Sequence, residues 1–156
     1  DIIISSQRSM KINNKKVVTI FNENGEGAGR FYEFYSKGTS VKNIEAIILD
    51  ATGNLMKKIK RKDFIDQCAT DGGTVFSDNR VLYFNYTPVS YPFTIVYESE
   101  IETSTTAFIP QWQPLRADLV SLEKCILNVS FPDNLGFKKE ALLLALSNFN
   151  KSLGVE

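Results

Sequence analysis

The sequence predicts an all-β fold: an antiparallel β-sandwich of about eight or more strands, with little helix. Three observations predict it. Turn-forming residues break the chain at short intervals. Between those breaks, apolar residues alternate with polar ones instead of recurring at helical spacing. The 11 Phe and 6 Tyr also suit the pleated, half-buried surface of a strand better than a helix. At 156 residues the chain is long enough for one domain with a sizeable core, without help from disulfides or metal.

The elements follow in order. Ile2 to Ile12 and Lys15 to Phe21 read as strands flanking Asn13-Asn14, a pair suited to the positive φ angles of a tight hairpin. Asn22 to Gly29 is polar and glycine-rich and reads as a loop, with the aromatic strand Phe31-Tyr32-Glu33-Phe34-Tyr35 after it. Val41 to Asp50 puts Ile44, Ala46 and Ile48 on one face and Ile47 and Leu49 on the other. Apolar residues on both faces argue for a central strand. Asp50-Ala51-Thr52-Gly53-Asn54 is a turn, Leu55 to Ile59 returns from it, and Lys62 to Gln67 reads as a short helical turn.

Val81 to Tyr86 and Tyr91 to Thr103 are the clearest strands. In the second, Tyr91, Phe93, Ile95, Tyr97 and Ile101 share one face, while Thr94, Glu98, Glu100 and Glu102 share the other. Pro110 and Pro114 bracket an extended crossing around Trp112. Val120 to Phe131 reads as the last strand, with Cys125, Leu127, Val129 and Phe131 on its core face. Residues 1–136 thus form the sandwich domain. Residues 137–156, with a Leu-rich run, are a C-terminal extension, either a further strand or a short helix of the same domain, in a chain cut from a longer protein.

Composition excludes several functions. The sequence contains no histidine, which removes the usual Ser-His-Asp and Cys-His dyads and every imidazole-dependent zinc site. Eighteen basic residues balance eighteen acidic ones, so no net field draws the chain to nucleic acid or an anionic membrane. The longest apolar run, Ala141 to Leu146, is far short of the roughly 18 residues that span a bilayer, and no membrane insertion of this segment is expected. The basic patch Lys57 to Lys62 lacks interleaved aromatics and reads as a solvated strand edge that blocks edge-to-edge pairing. The aspartates beside Gly or Asn follow turn chemistry and do not form a calcium loop. Glu98, Glu100 and Glu102 lie on one strand face at a spacing open to acid–base pairs, yet a row of like charges on a wet face reads first as solvated surface. No metal, cofactor or catalytic residue is expected.

Two segments remain as candidate binding surface, because each sets aromatic residues beside hydrogen-bonding groups. They supply Phe76, Asp78 and Arg80 on one side and Trp112 on the other. For Trp112 the alternative is a plug at one end of the sandwich.

Arg8 to Ile20, Val41 to Ala46 with its turn, Lys57 to Asp66, Phe76 to Tyr86, Tyr91 through Glu98 to Trp112, and Val120 to Asp133 also carry a resemblance. In their order and spacing, up to about Gly136, the chain resembles the bacterial domain of unknown function found N-terminal to the transglutaminase-like core of exported multidomain proteins. The resemblance implies a periplasmic or cell-envelope location and a non-catalytic accessory role. The Cys-His-Asp chemistry would lie downstream on the same polypeptide, and none of that triad maps onto this chain. The competing expectation is an independent module that binds peptide or glycan.

Overall fold

The structure, a computed structural model, describes residues 1–69, 78–107, 109–110, 112, 114 and 120–135. Among these, nine strands form two sheets: β1 (Ile2–Ser6), β2 (Ser9–Ile20), β3 (Tyr32–Tyr35), β4 (Thr39–Leu49), β5 (Leu55–Ile59), β6 (Ile65–Cys68), β7 (Arg80–Tyr83), β8 (Phe93–Thr103) and β9 (Val129–Ser130). The large sheet runs β5-β4-β8-β2-β1-β9 and the small one β3-β7-β6. Every pairing is antiparallel except that of β9 with β1. The all-β expectation holds.

The period-two pattern sets the layers. On β8, Phe93, Ile95, Tyr97, Ser99 and Ile101 are buried, and β4 buries Ile44, Ala46 and Ile48 beside them. These residues meet Phe31, Phe64, Leu82 and Phe84 from the segments around the small sheet in one core. Tyr97 lies at its centre, fully buried and stacked on Phe31 at 4.7 Å between ring centroids. A second cluster, Ile2, Ile4, Met10, Ile12 and Ile101, sits toward the other end of the large sheet. There the cover is Ile109, Leu127, Val129, Phe131 and Leu135 instead of the small sheet.

The outer face of the large sheet answers the question of the glutamate row. Lys15 pairs with Glu98 at 2.6 Å, Lys11 with Glu100 at 3.0 Å, Lys42 with Glu102 at 3.2 Å, and Lys58 with Glu45 at 3.0 Å. Each of these glutamates thus has a lysine partner, including Glu45 and Glu98, which stand directly opposite one another on β4 and β8. The lysine-rich β5 forms an edge of the sheet, as its composition suggests.

Four expectations are corrected. The hairpin is not at Asn13-Asn14. β2 runs straight through them, in register with β8 from Met10↔Thr103 to Ile20↔Phe93, and the reversal falls at Gln7-Arg8. A long ladder outweighs a local turn preference, and the Asn14 amide finds cross-strand partners. The glycine-rich stretch is not an open loop but 3₁₀ turns over Glu23–Gly29, with the Asn22 side chain accepting from Asn24 N–H. A Cβ at Gly29 would lie 2.5 Å from Ile20 Cδ1, so a larger residue there would force the buried Ile20 side chain to shift. Lys62 to Gln67 divides into a 3₁₀ turn at Arg61–Asp63, closed by Lys60 N–H donating to Asp63, and strand β6.

The fourth correction concerns Val120 to Phe131, where, among the described residues, only Val129–Ser130 joins a ladder, parallel to β1. Its inward face is as expected, with Cys125, Leu127, Val129 and Phe131 half-buried. Alternation fixes which side faces in, but a ladder also needs a partner edge. Residues 137–156 lie outside the described residues.

Since Ile48 is completely buried between β5 and β8, Ile48→Ala should lower unfolding stability by about 2–5 kcal/mol. Val17→Ala, at a largely exposed site, should change it by less than about 0.5 kcal/mol. Urea denaturation of both variants checks the contrast.

Candidate functional site

The small sheet carries two unlike faces, set by strand parity. Its register aligns Glu33, Leu82 and Asp66 in one row and Tyr35, Arg80 and Cys68 in the next, all on the inner face. The outer face takes the intervening rows, Tyr32, Tyr83 and Ile65, then Phe34, Val81 and Gln67.

Two polar clusters occupy the inner face. Glu33 reaches across to the large sheet, where its Oε1 accepts from Ser99 Oγ at 2.6 Å, Tyr97 Oη at 3.0 Å and Asn14 Nδ2 at 3.3 Å. Burial, followed by the Glu33 charge, pushes the Tyr97 hydroxyl well above the ordinary tyrosine range, so it stays a donor. In the second cluster, Asp66 accepts from Tyr35 Oη at 2.7 and 2.9 Å, from Arg80 Nε at 2.8 Å and from Arg61 Nη2 at 3.3 Å. Burial works to raise the Asp66 pKa, but the hydrogen bonds from Tyr35, Arg80 and Arg61 outweigh it and hold the carboxyl below its ordinary value. The bond Arg80 donates to Asp66, with a second donated to the Tyr35 hydroxyl, holds Arg80 still more firmly protonated. A fixed ion pair of this kind orders the sheet and offers no proton near neutral pH.

Arg80 is therefore a structural anchor within reach of a recess. That recess, of about 490 Å³, is lined by Tyr35, Lys37, Thr39, Arg61 and Asp78. Asp78 is exposed at its rim. Trp112 is held elsewhere, half-buried, with its indole N–H 3.1 Å from Cys125 Sγ. Phe76 lies outside the described residues. The sequence thus brings Asp78 and Arg80 to one region, and Trp112 lines neither that recess nor the larger groove described next. Among the described residues, no three His, Cys, Asp or Glu side chains gather as a metal-ligating group. Cys68 and Cys125 are both free thiols.

The larger feature was missed by sequence reasoning. A groove of about 630 Å³ passes Arg30, Tyr32, Phe34, Tyr83, Asn85 and Tyr86, a size typical of ligand sites. Tyr32 and Phe34 are 55% and 58% exposed and meet edge to face at 5.4 Å, with Ile65 41% exposed in the same sheet face. At the groove's end Tyr91 donates to Glu26, and the Tyr91 pKa is pushed up to about 12, chiefly by that bond. The signal was present in Phe31 to Tyr35, since aromatics on both faces of a short strand leave one face bare unless a further layer covers it.

Compared with known proteins, the chain matches a family described as a domain of unknown function with solved structure (DUF3857) over residues 6–145, past Gly136. The chain belongs to that family. A crystal structure of a "putative protease" from Parabacteroides distasonis has the same fold, with a TM-score of 0.55 and 14% identity over 67% of this chain. The match spans 21% of that protein's length. No curated protein matches.

Asp66 also makes the fold acid-sensitive in a defined direction. Its pKa is lower folded than unfolded, so its pairing adds stability that is full above the unfolded value of about 3.9. That stability is lost as pH falls through the folded value. Asp66→Asn should flatten the decline of the urea midpoint below about pH 4. Asp50, lowered to about 2 chiefly by its hydrogen bond from Thr52, should leave a residual slope. An unchanged acid limb would show that the Asp66 cluster adds nothing.

Proposed function

We propose that the chain is a non-catalytic accessory domain of an exported, periplasmic or cell-envelope protein. In this reading it packs against, or positions substrate for, a downstream transglutaminase-like catalytic domain on the same polypeptide. The observation that carries the reading is the complete absence of histidine, which leaves no Cys-His chemistry to run here. Membership of the family supports it, as does the minor share of the neighbour's length that this fold occupies. The Asp66–Arg80 pair supports it too, because both groups are locked in their charged forms.

A second reading is an independent peptide- or glycan-binding module. It is favoured by one specific observation, the exposed aromatic face of Tyr32 and Phe34.

Calorimetric titration of the chain with the catalytic part of its parent polypeptide tests the first reading. Saturable binding with a Kd below about 10 μM is expected. No binding, or amide-bond turnover by the chain alone, contradicts it.

A further inference from the structure

We propose that the open edge of β3 and the aromatic groove beside it bind an extended polypeptide segment. The ligand would add as a strand, set its apolar side chains on Tyr32 and Phe34, and place an acidic side chain on Arg30. The inference rests on the second reading above and deepens it by choosing polypeptide over glycan.

Three independent features select that ligand. The first is the edge. Among the described residues β3 pairs with β7 alone, and no other backbone hydrogen bond reaches Tyr32–Tyr35. An unpaired strand edge presents a row of alternating donors and acceptors that an extended backbone matches and a sugar chain does not. The second is the face, because the aromatics on this strand recur at the two-residue spacing of side chains on an added strand. Tyr32 and Phe34 already brace each other edge to face, so little side-chain order is lost on binding. The third is charge. Arg30 is exposed at the groove, and among the described residues its guanidinium makes no ion pair. On the large sheet, Lys11, Lys15, Lys42 and Lys58 are all paired with glutamates. A free guanidinium beside an apolar wall complements a carboxylate next to apolar side chains.

The probes are a capped hexapeptide alternating Val and Phe with Thr and carrying one Glu, its counterpart with Lys in place of Glu, and chitotetraose. The readouts are calorimetry and amide chemical shifts of the full 156-residue chain. The acidic peptide is expected to bind, with shifts concentrated at residues 30–35 and 83–86. Arg30→Glu should weaken it about tenfold and improve the Lys peptide, and Phe34→Ser should weaken both peptides about fivefold or more. Both positions are exposed, so the urea midpoints should match the parent and separate lost binding from lost folding.

Several results overturn the proposal. Equal binding of the two peptides removes the role of Arg30. Shifts centred on the β5 edge relocate the site. Concentration-dependent broadening at β3 without peptide makes a second copy the occupant. Binding of chitotetraose alone leaves the module reading standing with a glycan ligand. If no probe binds, both the inference and the module reading fall.

Discussion

Everything distinctive about this fold depends on the direction in which Glu33 points. Its carboxylate crosses from the small sheet to collect hydrogen bonds from Ser99, Tyr97 and Asn14 on two adjacent strands of the large one. A strand alternates its side chains strictly, so an inward Glu33 forces Tyr32 and Phe34 outward. It also sends Tyr35 inward, where it completes the Asp66–Arg80 pair. One polar contact thus sets the register of an entire face. It also satisfies three polar side chains that would be costly to bury unpaired. Among the described residues no buried side-chain nitrogen or oxygen lacks a partner.

The two sheets solve their exposed faces in opposite ways. The large sheet carries lysine–glutamate pairs across the outer surface of β2, β8 and β4, each worth little alone at such exposure but together giving every glutamate of the row a counter-charge. The small sheet leaves aromatic rings bare. A bare aromatic sheet face beside a guanidinium that makes no ion pair among the described residues is the kind of surface that recognition uses.

Much of the large sheet was legible in the sequence. Tyr91 to Thr103 and Val41 to Asp50 announce themselves by period two, and Phe93, Ile95, Tyr97, Ile101, Ile44, Ala46 and Ile48 are buried as the pattern names, whereas Tyr91 lies ahead of β8 and is exposed. Asn13-Asn14 misleads because a turn preference is local, whereas the pairing of β2 with β8 is not. The face of Val120 to Phe131 was legible, but that its ladder among the described residues is only Val129–Ser130 was not, since a free edge elsewhere in the chain decides that. At the site, Arg80 was chosen for its aromatic neighbours. Its true partners, Tyr35 and Asp66, are remote in sequence and meet only through the register of three strands. The outward turn of Tyr32 and Phe34 was invisible for the same reason, because it depends on partners of Glu33 that lie on another sheet.

A double-mutant cycle between Glu33 and Tyr97 tests most directly whether this contact fastens the sheets. Glu33→Gln, Tyr97→Phe and the pair together would be unfolded in urea. The account predicts a coupling of about 1.5–3 kcal/mol, the range for a hydrogen bond to a charged group, with earlier hydrogen exchange of β3 and β7 amides in both single variants. Effects that add within about 0.5 kcal/mol, with exchange in the small sheet unchanged, would mean that apolar packing alone joins the sheets and that Glu33 does not set their faces.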